Sequence, residues 1–88
     1  MDGEPIEERE IARFTIWYNH DGVKRAADVR RLEVDGQGYF SCRLFNGTVQ
    51  EIEPEKDEQG NRAWKLVFGE VSPLSTNLGK AIDEYGQK

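Results

Sequence analysis

The sequence predicts a mainly β domain of the α+β class: a five-stranded antiparallel meander, or a small SH3-like barrel, followed by a short C-terminal α-helix. Three observations support this fold class. Turn signals recur through the middle of the chain, the segments between them are rich in β-branched and aromatic residues, and the C-terminal segment changes to a helical spacing. A chain of 88 residues has room for one domain with a thin core, so residues 1–88 are expected to form a single small domain.

Composition divides this domain into three segments. Residues 1–10 are acidic, and the sequence leaves them as one helical turn or as a frayed lead-in to the first strand. Residues 11–68 hold the strand and turn signals and are assigned to the antiparallel sheet. Residues 69–88 are assigned to a linker and the C-terminal helix, because Ser72-Pro73 interrupts the strand pattern before an amphipathic stretch begins.

The first and last strands are predicted from the alternation of apolar and polar side chains. In "IARFTIWYN", one face is apolar and holds Phe14, Ile16 and Tyr18. In "RAWKLVF", one face is apolar and holds Trp64, Leu66 and Phe68. Each segment is therefore expected to turn these side chains toward the core.

The second segment contains "KRAADVRR" at residues 24–31 and is ambiguous. Its Ala and Arg content suits a helix, but the flanking Gly turns and β-branched ends favour a strand. The apolar side of that strand changes phase after Val29, since Leu32 falls on the opposite face. We therefore expect a β-bulge or a bend near Arg30 and Arg31.

The stretch "GYFSCRLFNGTVQEIE" predicts a β-hairpin. Asn46-Gly47 is the preferred pair for a two-residue turn, which places Leu44 opposite Val49. The face expected to join the core then holds Phe40, Cys42, Leu44 and Val49. The other face holds Tyr39, Arg43, Phe45, Gln50 and Ile52.

The C-terminal segment predicts a short amphipathic helix. Its apolar residues recur at helical spacing, at Leu78, Ala81, Ile82 and Tyr85. Ser75 or Thr76 is expected to cap its N-terminus, and Gly86 is expected to end it. Gly79 weakens an isolated helix by about 1 kcal/mol relative to Ala, so the helix needs a surface on which to dock.

The residue inventory gives little support to catalysis. His20 is the only histidine and lies beside Asp21 in a predicted turn, and Cys42, the only cysteine, is expected to be a small core side chain. No zinc-protease, EF-hand or phosphate-loop motif occurs. We therefore expect no enzymatic activity, no cofactor and no metal site.

Localisation is predicted from the N-terminus and from hydropathy. The first residues are acidic, unlike a secretory or transit peptide, and the apolar runs are too short to span a membrane. We expect a cytoplasmic protein without a membrane partner. Small size and acidic charge are typical of a bacterial or phage accessory protein that acts by binding another macromolecule.

The leading functional hypothesis is binding to a protein partner, through acidic segments or through open sheet edges. The net charge of −5 disfavours generic binding to nucleic acid, which requires a basic surface. A candidate acidic face that could occupy a basic groove on a partner comprises Glu51, Glu53, Glu55, Asp57 and Glu58.

The alternative hypothesis is nucleic-acid or nucleotide binding on an arginine and aromatic sheet face. Such residues can stack on a nucleobase and pair with a phosphate. The candidates are Arg25, Arg30, Arg31, Tyr39, Arg43 and Phe45. The structural alternative is that cross-strand acids neutralise these arginines, and the candidates for that role are Asp28, Glu33 and Glu51.

The order of strand, Asp-Gly turn, strand and "GYFSCRLF" resembles the WYL domain over about forty residues. In this resemblance Tyr39-Phe40 stand for the family's Tyr-Leu, and Arg43 and Phe45 stand for its Arg-x-Phe. Gly38 stands where the family has Trp, and "NGTVQ" replaces its basic strand. The resemblance implies an SH3-like barrel that binds ligands or nucleic acid in bacterial regulators.

Overall fold

Five strands and one helix make up the part of the chain that the computed structural model describes, which is residues 8–56 and 58–86. In chain order they are β1 (Glu8–His20), β2 (Val23–Val34), β3 (Gln37–Arg43), β4 (Val49–Lys56), β5 (Arg62–Leu66) and α1 (Pro73–Gly86). The strands form one open antiparallel sheet in the order β1-β2-β3-β4-β5. The predicted fold class, a mainly β meander with a C-terminal helix, is confirmed.

Helix α1 covers one face of the sheet, which we call the inner face; the opposite face is the outer face. The helix packs against β1 and β5, which are the two edge strands of the sheet, and against β4. The buried core between helix and sheet comprises Ile16, Tyr18, Ala27, Val29, Cys42, Leu44, Ile52, Trp64, Leu78, Ala81 and Ile82. Among the described residues, no helix packs on the outer face.

Two Asp-Gly turns set the register of the first three strands. Asp21 and Gly22 have φ of 54° and 76°, and Asp35 and Gly36 have φ of 51° and 79°. Both central positions of each turn are thus left-handed, as a two-residue hairpin requires, and Asp tolerates this region better than most residues. The turns signalled by the sequence therefore place β2 beside β1 and β3 beside β2.

The β3–β4 hairpin differs from the predicted two-residue turn. The Leu44 N–H donates to the Thr48 carbonyl at 2.8 Å, so three residues lie in the loop, and only Gly47 among them has positive φ, at 86°. Asn46 instead uses its side chain, whose Oδ1 accepts from the Thr48 N–H at 3.0 Å. This is the three-residue loop that ends in a left-handed glycine.

The longer loop moves β4 by one residue and exchanges its two faces. Arg43 pairs with Val49, and Phe40 pairs with Ile52. Val49, predicted in the core, is 48% exposed, whereas Ile52, predicted on the opposite face, is fully buried. The predicted hairpin was correct in place and wrong in register.

The ambiguous segment 24–31 is part of the continuous strand β2, and the bulge lies elsewhere. The register shifts in β1 between Glu10 and Ala12, which leaves Ile11 as the extra residue. Leu32 is buried outside the core cluster and opposite Tyr39, so it belongs to the outer face. The apolar side of β2 changes along the strand because Val29 is buried on the inner face and Leu32 is buried on the outer face.

The last strand is shorter than predicted. β5 ends at Leu66, whose carbonyl accepts from the Gly69 N–H at 3.0 Å as the chain turns away. Phe68, predicted to share the core face with Trp64, lies in this turn and is 96% exposed. A Cβ at Gly69 would lie 3.2 Å from Leu66 Cβ, so this close turn favours glycine.

Helix α1 begins at Pro73, earlier than the predicted caps at Ser75 or Thr76. The Ser75 N–H donates to Ser72 Oγ at 3.0 Å, and the Ser72 N–H donates to Ser75 Oγ at 2.9 Å. Ser72 is therefore the N-cap, and this reciprocal pair resembles a capping box. Proline suits the first helical position because its missing N–H has no helical partner there.

The helix docks on Trp64 through its glycine. A Cβ at Gly79 would lie 1.9 Å from Trp64 Cγ, so the ring occupies the space that any side chain would need. The Trp64 Nε1–H donates to Asp83 Oδ2 at 3.1 Å, and Ser75 Oγ donates to the Trp64 carbonyl at 2.8 Å. The helical cost of Gly79 is thus offset by close packing on β5.

Candidate functional site

The six predicted arginine and aromatic residues lie on two different faces. Strand alternation turns Arg25 and Arg31 toward the inner face, with the core residue Val29 between them. The outer face holds Arg30, Tyr39 and Arg43. Phe45 lies in the hairpin loop, where the Arg25 guanidinium carbon is 3.8 Å from its ring centroid. The set therefore does not form one continuous surface.

The charge partners of these arginines also differ from the expected ones. Arg30 Nη1 lies 3.9 Å from Glu10 Oε1. Of the acids expected to neutralise the cluster, Glu33 lies 3.9 Å from Arg9, and Asp28 accepts from Thr15 Oγ1 at 3.2 Å. Within the described ranges, no ion pair forms at Arg31, Arg43 or Glu51.

The predicted acidic residues cluster in part. Glu51, Glu53 and Glu55 alternate along β4 and share the outer face. Lys65 on β5 lies 3.2 Å from Glu53 and 3.9 Å from Glu55 and offsets part of their charge. Glu58 is exposed in the following turn, and Asp57 lies outside the described residues.

A groove of about 450 Å³ opens on the outer face between the β2–β3 turn, β4 and the turn after β5. We call it the acidic groove and define it by Asp35, Tyr39, Glu51, Glu53, Val67 and Phe68. Its three carboxylates come from two parts of the chain, the β2–β3 turn with Asp35 and strand β4 with Glu51 and Glu53, which the meander brings together. The rest of its lining is apolar or aromatic except for Gln37 and Gly38.

Tyr39 reports the electrostatics of this groove. Its hydroxyl donates a hydrogen bond to Glu8. Burial, this hydrogen bond and the charges of Glu8 and Glu51 raise the pKa of Tyr39 to about 12, against a smaller lowering by Arg30. The carboxylates thus oppose a further negative charge, and the same potential favours a cation at this position.

Phe68 forms the exposed end of the groove. The Val67 N–H donates to the Glu51 carbonyl at 2.9 Å, which fixes the turn against β4 while the next side chain points into solvent. A side chain of this size that is 96% exposed leaves its apolar surface available to another molecule.

Sequence reasoning missed the contributions of Asp35 and Phe68 to this groove. Asp35 belongs to an Asp-Gly turn signal that predicts no binding role, and the uninterrupted alternation of "RAWKLVF" predicts that Phe68 lies on the core face. Gly69 was the one signal that could have ended the strand earlier. No local pattern places the Asp-Gly turn beside β4, since that neighbourhood depends on the register of the whole sheet.

The two residues with the greatest intrinsic reactivity lie apart from the groove. Burial raises the pKa of the Cys42 thiol to about 12, so it stays protonated at neutral pH. His20 Nε2 lies 3.4 Å from Asp21 Oδ2 at the β1–β2 turn. Across residues 8–56 and 58–86, no cluster of three or more His, Cys, Asp or Glu could hold a metal ion.

Comparisons with protein-family models, with curated proteins and with solved structures find no match to this chain. In the described part of the chain, α1 is neither long enough nor apolar enough to cross a membrane. Function is therefore inferred from the surface of the molecule itself.

Proposed function

We propose that this chain is a non-enzymatic interaction module that binds a protein partner, whose Lys- or Arg-bearing segment occupies the acidic groove. The supporting observation is the juxtaposition of Phe68, 96% exposed, with the carboxylates of a groove that no helix of the described residues covers. The proposal includes a cytoplasmic bacterial or phage accessory role, which the acidic composition favours.

Charge provides attraction and orientation. Asp35 and Glu51 have no ion-pair partner among the described residues, so their charges are available to a cation from outside. Each exposed pair is worth only about 0.2–1 kcal/mol, but several carboxylates in one groove steer a basic partner and set its register.

Aromatic surface supplies the second part of the binding free energy. Burying one exposed Phe side chain contributes about 1.5–3 kcal/mol, and a cation over an aromatic face adds about 0.5–2 kcal/mol. An arginine side chain suits this groove best, because its planar guanidinium can stack on Phe68 and pair with Glu51. A charged face alone would bind any polycation, whereas the aromatic residue gives a preference.

The open sheet edges are a less well supported route. Lys65 forms an isolated β-bridge with Val71, which partly covers the free edge of β5. The groove offers both charge and apolar surface and is therefore preferred.

Nucleic-acid binding by an SH3-like, WYL-type face is the second candidate and has weaker support. Its six residues are divided between two faces, and Arg30 lies beside Glu10. The outer face also holds the carboxylates of β4, which would repel a phosphate backbone.

The test is a titration of the ¹⁵N-labelled chain with an acetylated tetra-arginine peptide, followed by NMR and calorimetry. Asp35→Asn combined with Glu51→Gln should weaken binding about tenfold, from two contacts of about 0.5–1 kcal/mol each. Asparagine tolerates the left-handed conformation of Asp35, so the turn is preserved.

Asp21→Asn combined with Glu84→Gln is the matched control, since it removes the same charge and alters the equivalent Asp-Gly turn. Its binding should change less than about twofold. Equal weakening in both double variants would mean that the peptide senses only net charge, and the proposal would be wrong.

A further inference from the structure

A second cavity, of about 500 Å³, lies on the inner side of the sheet at the C-terminal end of α1. We call it the basic cleft and define it by Phe14, Arg31, Phe40, Arg62, Ile82 and Tyr85. From these residues we infer that the cleft binds a small molecule that carries both a planar aromatic ring and an anionic group, a chemical class that includes nucleoside monophosphates. This site is separate from the acidic groove and does not depend on the proposed function.

Among the described residues, the charged side chains of the cleft leave Arg31 without a carboxylate partner. Arg62 Nη1 lies 3.1 Å from Asp83 Oδ1, while Asp83 Oδ2 accepts from the Trp64 Nε1–H at 3.1 Å. Arg13 Nη2, at the rim, lies 2.8 Å from Glu10 Oε1. Arg31 is exposed and, within the described residues, has no carboxylate within ion-pair distance. An anion in the cleft would supply its missing partner.

Aromatic rings form the walls of the cleft. Phe14 and Tyr85 stack with centroids 4.4 Å apart and planes 12° from parallel. The rings of Phe40 and Trp64 form a T-shaped pair with centroids 5.4 Å apart, which fixes the position of the Phe40 ring. Phe40 is the cross-strand partner of Arg31 between β3 and β2. Tyr85 is 45% exposed, so a planar ligand ring has an aromatic surface on which to stack.

The ligand needs a ring as well as a charge, because the cleft lies at the C-terminal end of α1. Helix C-terminal carbonyls favour cations, so the position of Gly86 at the cleft opposes a bare anion. Inorganic phosphate should therefore bind poorly by itself. A ligand with both a ring and an anionic group gains stacking on Tyr85 together with pairing to Arg31.

The size of the cavity separates a mononucleotide from a nucleic-acid strand. Small-molecule sites are typically about 300–1,000 Å³, a range that includes this cleft. A strand would need a continuous basic track, whereas the sheet turns Arg30 and Arg43 to the opposite face. The occupant is thus a single small molecule.

The test titrates the full ¹⁵N-labelled chain with adenosine 5′-monophosphate, and separately with adenosine and with inorganic phosphate. We expect saturable shifts at Phe14, Arg31 and Tyr85 with the monophosphate, and binding about tenfold weaker or more with either half of the molecule. No saturable shift with the monophosphate, or equal binding of inorganic phosphate, would overturn the inference.

Arg31→Gln should abolish the saturable shifts, and Arg43→Gln should leave them unchanged. Arg43 is the matched control because it is exposed, has no ion pair among the described residues and lies on the outer face. If Arg31→Gln fails to fold, Arg31→Lys decides the question: it keeps the charge but loses the planar fork, so binding should weaken severalfold. Unchanged binding in either Arg31 variant would overturn the inference.

Discussion

The acidic groove and the basic cleft share strands β2 and β3 but have opposite charge. Along β2 and β3, consecutive residues alternate between them: Arg31 and Phe40 line the cleft, while Leu32 and Tyr39 face the groove side. The two-residue period of a strand therefore places neighbouring residues of one strand at two different sites. The net charge of −5 belongs to the whole chain and does not give the local charge of either site.

The two sites also differ in how far their shape depends on the packed core. The cleft lies where helix, Trp64 and sheet are packed together, so its shape depends on the core. The groove depends on turns and on one strand pair, and its key aromatic residue contributes nothing to the core. Substitutions near the cleft should therefore change both stability and binding, whereas substitutions in the groove should change binding with little effect on stability.

The largest effect is expected from Gly79→Ala. The new Cβ would lie 1.9 Å from Trp64 Cγ, so the helix must move away, and we expect a loss of about 3 kcal/mol in unfolding free energy. Urea denaturation measures this loss. Where the variant is still folded, monophosphate binding at the cleft should fall while peptide binding at the groove is retained.

Gly86→Ala is its control, because a Cβ there meets open space. We expect a change within about 0.5 kcal/mol. Equal destabilisation by both alanines would contradict the account of helix docking.

The same replacement at the two tryptophans should give unequal results. Trp64→Phe removes the hydrogen bond to Asp83 in a residue that is 4% exposed, and should cost about 1–2 kcal/mol. Trp17→Phe alters a residue that is 60% exposed on the outer face, and should cost less than about 0.5 kcal/mol. Thermal unfolding of both variants measures the difference, and similar melting temperatures would argue against it.

Phe68→Ala should affect binding without affecting stability. The side chain is 96% exposed, so unfolding free energy should change by less than about 0.5 kcal/mol. Loss of its buried surface and of the cation–π contact should weaken tetra-arginine binding more than about tenfold. Phe45→Ala, at an aromatic residue 58% exposed beside Arg25, is the control and should bind normally. Unchanged binding in Phe68→Ala would remove the aromatic part of the proposal.

An alkaline loss of stability that depends on the groove is also expected. The pKa of Tyr39 is raised to about 12, above its value of about 10 in the unfolded chain, so the folded state holds this proton more tightly. Its contribution to stability is complete below pH 10 and is lost as the pH rises toward 12.

Phenolate absorbance follows this titration, and Tyr39→Phe identifies the step that belongs to Tyr39. Glu51→Gln should lower the pKa of Tyr39, since the Glu51 charge is one cause of its rise. Asp21→Asn should leave it unchanged. An unchanged pKa of Tyr39 in Glu51→Gln would contradict the placement of that carboxylate beside the phenol.

The fold could be predicted largely because its signals are local. The turn at Asp35-Gly36 and the spacing of Leu78, Ile82 and Tyr85 each report on their own neighbourhood. The hairpin register could not be obtained in this way, because Asn46-Gly47 suits both a two-residue and a three-residue loop. That single choice decided whether Ile52 or Val49 is buried.

The candidate sites were less predictable than the fold. Phe68 looks like a continuation of β5 until the Leu66–Gly69 turn is known, and Arg31 looks equivalent to Arg30 until the strand assigns each a face. The cleft further requires α1 to place Tyr85 against Phe14, an interaction between distant parts of the sequence. Such long-range juxtapositions have no signature in a short window of residues.

The most direct test of two separate, oppositely charged sites is one NMR sample titrated first with the tetra-arginine peptide and then with adenosine 5′-monophosphate. We predict that the peptide shifts the amides of Tyr39, Glu51 and Phe68, that the monophosphate shifts those of Phe14, Arg31 and Tyr85, and that both sets persist when both ligands are present. Peptide shifts scattered over acidic residues across the chain, or displacement of one ligand by the other, would contradict the account.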